Sequence, residues 1–305
     1  MCRNSCYSIR NPGVIGVEFM RPEVKSFFHN DTWTITHVVR DPDGKSCAVI
    51  DPVLDFDFRS GRSNTTAADE IIAWLRQQKL DVEWLLETHA HADHLSAAPY
   101  FKDQVGGRTA IGARITEVQA IFKALFNAEP EFSADGSQFD HLFEDGESFK
   151  IGAMEATAWQ TPGHTPACMT YLAGDSAFVG DTVFMPDSGS ARTDFPGGDA
   201  ATLYRSIKRI LSLPAETGLY LCHDYGPGGR EFAWLTSVAE QRRQNSHVRD
   251  GVSEEEFTRL RAERDAGLRV PKLLLPSVQV NMRAGHIPPP EANGVSYLKL
   301  PLNAI

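Results

Sequence analysis

Apolar positions recur at two different periods along this chain, and the switches between them divide it into elements. Residues 32–39 read Thr-Trp-Thr-Ile-Thr-His-Val-Val, a β-branched alternation that predicts a strand. Asp41-Pro42-Asp43-Gly44 supplies a hairpin turn into a second strand at 46–50. A helical period sets in near Thr66, where Ile71, Ile72, Trp74 and Leu75 follow the capping pattern Thr66-x-x-Asp69. The apolar stretch Trp84-Leu85-Leu86 predicts a strand ending at His89, and a helix carrying Ala97, Ala98 and Phe101 begins near His94. Further strands are read at 109–111, 155–159, 168–172 and 177–179. A helix capped by Asp199 spans 200–213, with Leu203, Ile207, Ile210 and Leu211 on one face. Another is read at 230–245, and a third starts at Ser253 behind the capping box Ser253-x-x-Glu256. The proline-rich stretch from Pro271 is expected to wrap the surface.

The chemistry lies where strands run out. His89-Ala90-His91-Ala92-Asp93-His94 packs three imidazoles and a carboxylate into six residues, directly after an apolar strand. Imidazole and carboxylate are the ligand types of zinc and iron. A surface loop rich in histidine would read similarly, but three other predicted strand ends each present one more such group. His164 lies in Thr161-Pro162-Gly163-His164, Asp181 in Val179-Gly180-Asp181, and His223 in Leu221-Cys222-His223-Asp224. One such residue alone is more often a satisfied polar group; four strand ends argue for a shared metal site.

Composition narrows the class. The chain has 305 residues, 42% hydrophobic and 23% charged, ordinary for a globular protein with a full core. A net charge of −10 argues against nucleic acid or an anionic membrane as partner. No apolar run approaches the roughly 20 residues of a membrane span. The polar start, residues 1–11, has no signal-peptide core, and five cysteines without paired spacing read as reduced thiols. A cytoplasmic location is the resulting expectation.

The pattern H-x-H-x-D-H followed by a later His, Asp and His resembles the metallo-β-lactamase superfamily. The resemblance implies an α/β fold, an αββα sandwich of two facing mixed β-sheets with helices outside and the metal at one edge. It covers roughly Thr32 to Gly285, so residues 1–31 are expected to be an N-terminal extension, 32–286 the catalytic domain and 287–305 a proline-rich tail packed on it. Two ligand schemes stay open within the superfamily. A dinuclear hydrolase site would use His89, His91, His164 and Asp181 for one metal, and Asp93, His94, His223 and the same Asp181 for the second. A mononuclear iron site would use two His and one carboxylate, leaving positions for O₂ and a substrate sulfur.

The segments Ser190-Ala191-Arg192-Thr193-Asp194-Phe195, Cys222-His223-Asp224-Tyr225 and Asn281-Met282-Arg283-Ala284-Gly285 are similar to persulfide dioxygenases, relatives of glyoxalase II in fold. That similarity implies one Fe(II) per chain on His89, His164 and Asp181, with His91, Asp93, His94 and His223 supporting it or holding a second metal. Arg192, Asp194 and Tyr225 are then the catalytic candidates. Tyr225, Arg249 and His247 are the candidates for gripping glutathione persulfide, Arg249 ahead of His247 because a guanidinium holds a carboxylate through two bonds. The implied partners are a small persulfide and O₂, with a homodimer possible. The alternative is a thioester hydrolase of the glyoxalase II type with two zinc ions.

Overall fold

The computed structural model describes residues 21–304. Residues 1–20 of the expected extension, with Cys2 and Cys6, lie outside the described residues. The first half of the chain contains β1 (Glu23–His29), β2 (Thr34–Arg40), β3 (Ser46–Ile50), β4 (Val53–Asp57), β5 (Arg62–Asn64), α1 (Thr66–Gln78), β6 (Asp81–Leu86), β7 (Leu95–Ser96), α2 (Ala98–Val105), β8 (Arg108–Gly112), α3 (Ile115–Leu125) and β9 (His141–Phe143). The second contains β10 (Glu147–Ile151), β11 (Met154–Gln160), β12 (Met169–Ala173), β13 (Ser176–Phe178), α4 (Ala200–Ile210), β14 (Gly218–Tyr220), β15 (Leu235–Ser237), α5 (Val238–Gln244), α6 (Glu254–Asp265) and α7 (Leu274–Asn281).

Two mixed sheets form, in the orders β1-β2-β3-β6-β8-β9 and β10-β11-β12-β13-β14-β15, with a small β5-β4-β7 sheet beside them. Their inner faces share one core. Val39, Ala48, Ile50, Trp84 and Leu86 from the first sheet meet Phe149, Ile151, Ala158, Tyr171 and Phe178 from the second. The alternate residues point outward because successive strand side chains face opposite ways. Val38, Val49 and Leu85 therefore meet Ile71, Leu75 and Phe101 of α1 and α2. Ala177 and Leu219 meet Leu203, Ile207 and Phe257 of α4 and α6. This is the αββα sandwich. Each fully buried side chain of this kind contributes about 1.5–3 kcal/mol, and Leu203→Ala would cost about 2–5 kcal/mol.

Most predicted elements form, with Asp199 accepting from Thr202 N (2.7 Å) and the Ser253–Glu256 capping box complete. Several details are corrected. The α1 cap lies one residue early: Thr65 precedes the helix and its hydroxyl donates to Asp69 (2.7 Å). The helix expected over 230–245 is shorter, because residues 235–237 are extended as β15 and pair with β14, and only 238–244 are helical. The stretch from Pro271 is not only a strap. It contains α7, whose Leu274 and Val278 are buried with Met282 against α3. The extension assigned to residues 1–31 also includes sheet: β1 pairs with β2 over all seven of its residues. Its half-buried pattern, without clean alternation, hides it from a hydrophobicity reading. Among the described residues no helix is long and apolar enough to cross a membrane.

Candidate metal centre

All seven ligand candidates converge at one end of the sandwich, each a few residues past a strand: the 89–94 loop after β6, His164 after β11, Asp181 after β13 and His223 after β14. Two glycines permit the close approach. Gly180 has φ +51°, and a Cβ there would lie 2.6 Å from Thr88. Gly163 has φ +136°, with the Leu203 backbone 2.4 Å from where its Cβ would be. Larger residues would clash at both places.

Each imidazole is oriented by its outer nitrogen. His164 Nδ1 donates to the Arg192 carbonyl (2.8 Å) and His223 Nδ1 to the Trp33 carbonyl (3.1 Å). Thr88 donates its hydroxyl proton to Asp51 (2.8 Å), so it accepts from His89 Nδ1 (3.1 Å). His91 Nε2 meets Asp51 at 2.9 Å and Glu87 at 3.4 Å. His94 Nδ1 lies 3.3 Å from Asp93. The inner nitrogens are left over: His89 Nε2, His91 Nδ1, His94 Nε2 and His223 Nε2 are buried with no hydrogen-bond partner. So is Asp181 Oδ1. Buried polar atoms without partners are rare, and each demands an explanation. A cation between them supplies one, so the residues present fit a metal.

The electrostatics divide the histidines into two pairs. Burial holds His89 well below the usual imidazole range, helped by His91 and His164, and lowers His94 to about 4. Both are neutral lone-pair donors. Burial opposes a charge on His91 and His223, yet carboxylates win in each case: Asp51 and Glu87 raise His91, while Asp93 and Asp181 raise His223.

Ligand atoms of His89, His164 and Asp181 lie within 4.8 Å of one another, as do those of His91, Asp93 and His94. Asp181 faces both ways. Its Oδ2 lies 3.7 Å from His164 and 3.9 Å from His89, and its Oδ1 lies 3.5 Å from His223. The carboxylate can therefore serve one metal or bridge two.

A cavity of about 860 Å³ opens from this cluster, with Asp93, His164 and Asp181 among its lining residues. Trp33, Phe184, Phe195 and Tyr225 give it aromatic walls, and Tyr225 stacks on His223 (5.9 Å between ring centres). Arg192 lines it, as expected, but its guanidinium is bound by Asp194 (2.6 Å) and the Arg269 carbonyl (2.8 Å). Asp194, expected to be catalytic, spends both oxygens on Arg192 and does not line the cavity.

The two candidates for the substrate carboxylate are corrected. His247 is buried, its Nδ1 accepts from Ser190 N (3.0 Å), and burial lowers it to about 4, so it is a neutral acceptor rather than a cation. Arg249 is exposed and does not line the cavity. The cations that do, beside Arg192, are Arg261, Arg264 and Lys272. Arg261 is committed to Asp265 and the Ser190 carbonyl, which leaves Arg264 and Lys272 as the cavity's cations without a carboxylate partner among the described residues.

Sequence reasoning also missed Asp51, Glu87 and Trp33. Asp51 carried a usable signal: a lone carboxylate at the end of the apolar strand Ala48-Val49-Ile50. Trp33 carried none, because it acts through its backbone carbonyl, with φ +54°.

An αββα sandwich with this His- and carboxylate-lined edge defines a metal-dependent enzyme. The chain belongs to the metallo-β-lactamase superfamily, whose family model matches residues 36–223. It is 55% identical to a probable metallo-hydrolase of Burkholderia pseudomallei, over 92% of this chain and 99% of that one. It is 49% identical to glyoxylase B2 of Dictyostelium discoideum (93% and 98% covered) and 28% identical to the mitochondrial persulfide dioxygenase of Homo sapiens (86% and 88%). Among solved structures it is similar to ETHE1 of Myxococcus xanthus, with a TM-score of 0.69 at 28% identity, covering 87% of this chain and all of that one. Some relatives are longer, and the chain spans 65% of their length.

Proposed function

We propose that this protein is an iron-dependent dioxygenase of low-molecular-weight persulfides, glutathione persulfide being the type substrate. The observation that carries the reading is the grouping of His89, His164 and Asp181, two imidazoles and one carboxylate, on a cavity large enough for a tripeptide. The similarity to persulfide dioxygenase over most of both chains supports it.

Fe(II) held by that triad would supply open positions for O₂ and the terminal sulfur. The chain's own residues do the rest. Asp51 and Glu87 hold His91, Trp33 holds His223, and the Arg192 carbonyl holds His164, so the site keeps its shape without rearrangement. The aromatic walls give the carbon chain and sulfur of the substrate an apolar surface to pack on. Arg264 and Lys272 attract the substrate carboxylates in a chain that otherwise repels anions. Persulfide, O₂ and water yield sulfite, the thiol and protons.

A second reading has its own observation. The opposed oxygens of Asp181 suit a bridged pair of metals, and relatives at 55% and 49% identity carry hydrolase-type names. That site would hydrolyse a thioester. The test is O₂ consumption with glutathione persulfide on iron-loaded protein, beside hydrolysis of a glutathione thioester by zinc-loaded protein. O₂ uptake with sulfite formation is expected. Thioester hydrolysis without O₂ uptake would replace the first reading with the second.

A further inference from the structure

At the rim of the metal cavity the β4–β5 hairpin meets the segment between α6 and α7. The Lys272 ammonium lies over the Phe58 ring, 4.3 Å from its centre, and both residues line the cavity. Among the described residues this ring is the one partner of the Lys272 charge. The hairpin is built to hold the ring in place. Three residue pairs close it, from Asp55↔Asn64 to Asp57↔Arg62. Its base is tied to the start of α1, where Ala67 N donates to Asp55 (2.9 Å) and Thr66 N to Asn64 (3.1 Å). Its tip is tied to itself. Asp57 accepts from Arg59 N (3.0 Å) and from the Ser60 hydroxyl (2.7 Å), and Gly61 N donates back to the Asp57 carbonyl (2.8 Å). Phe58 is nevertheless exposed, so core packing does not explain its place. Arg59 also lies near the ring, at 5.7 Å, but does not line the cavity.

We propose that Phe58 is a positioning residue for substrate binding: its ring seats the Lys272 ammonium, and the pair selects conjugates of thiols that carry an anionic group. The proposal deepens the reading of an anionic thiol conjugate as substrate and rests on it, for persulfide and thioester alike. A lysine carries its charge on a flexible four-carbon stem, and fixing that stem when substrate binds costs conformational freedom. A ring already beneath the ammonium removes part of that cost before substrate arrives. The ring attracts the cation without neutralising it, and the outward N–H groups stay free for a carboxylate. A carboxylate in the place of Phe58 would hold the ammonium too, but it would cancel the charge that draws an anion in. An uncharged thiol gains nothing from the arrangement.

Steady-state kinetics of the metal-loaded full chain test the seat. The substrates are the glutathione conjugate that the wild type turns over, persulfide or thioester, and the same conjugate of an uncharged thiol, mercaptoethanol. Phe58→Leu keeps an apolar side chain and removes the ring. It is expected to raise KM for the glutathione conjugate about 2–5-fold with kcat unchanged. KM for the uncharged conjugate should not move. Phe58→Trp should restore the wild-type KM, because indole holds a cation best. In the Lys272→Ala background Phe58→Leu should add nothing. A wild-type KM in Phe58→Leu, an equal rise for both conjugates, or a full effect of Phe58→Leu without Lys272 overturns the proposal. A second readout needs no substrate. In protein whose lysines carry isotope-labelled dimethyl groups, the Lys272 methyl signal is identified by its loss in Lys272→Arg. It should lie upfield under the ring current of Phe58 and move downfield in Phe58→Leu. Coincident signals in the two proteins overturn the seat. If the wild type turns over neither glutathione conjugate, the functional reading fails, and the methyl signal still decides the seat.

Discussion

The side-chain amide of Asn281 donates to the backbone carbonyl of His94 (2.8 Å) and, with its other hydrogen, to that of His91 (2.9 Å). Its oxygen accepts from Ser96 N (2.8 Å), so one residue at the end of α7 clamps the whole metal loop. Asn281→Ala should weaken metal binding about 10–100-fold, as expected for a group that orients ligands. It should also cost about 1–3 kcal/mol of stability, because buried carbonyls lose their donor. Metal titration and denaturant unfolding measure the two effects. Unchanged metal affinity would mean that the loop holds itself.

Asp181 and Asp93 separate the two metal schemes. Asp181→Ala should abolish binding, because both clusters lose their shared carboxylate. If one iron suffices, Asp93→Ala retains it with affinity reduced about 10–100-fold. Metal content by mass spectrometry checks this. A drop from two ions to one in Asp93→Ala would instead support the bridged pair.

Arg264 and Lys272 are exposed to a cavity in a chain of net charge −10. The double variant Arg264→Ala/Lys272→Ala should raise KM for glutathione persulfide about 10-fold or more while leaving kcat in place, the signature of lost uniform binding. Arg249→Ala should leave both constants unchanged. An effect of Arg249 with none from the pair would return substrate recognition to the residue that sequence similarity favoured.

The chemistry of the site was legible because ligands at strand ends are written side chain by side chain. His89, His91, Asp93, His94, His164, Asp181 and His223 all converge. What supports them was harder to see. Trp33 and Arg192 act on histidines through backbone carbonyls, which no residue type announces. Arg249 and His247 lie past the end of α5, in a loop whose path no hydrophobic period reveals: His247 turns inward to accept from Ser190 N (3.0 Å), and Arg249 lies exposed away from the cavity. The strand β1 escaped because it is half-buried along its length, so neither face reads as clearly apolar.

His37 gives the fold an acid limit. Burial between the sheets lowers it from 6.5 to about 4, while its Nε2 donates to the Leu221 carbonyl (2.9 Å). Between those values the unfolded chain binds a proton that the folded chain refuses. Stability should therefore fall as pH drops from about 6.5 to 4, by about 3 kcal/mol from this group. His37→Gln should make that part of the curve shallower, leaving the slope contributed by His94 and His247, which are also lowered to about 4. Urea midpoints measured across the window check it, and parallel curves for the two proteins would show that His37 does not contribute.

The clamp from Asn281 spans 187 residues of chain to reach His94. During synthesis the histidine loop emerges first and stays unbraced until residue 281 has been made. A nascent chain thus displays an open cluster of imidazoles and carboxylates long before it can shape them around an ion.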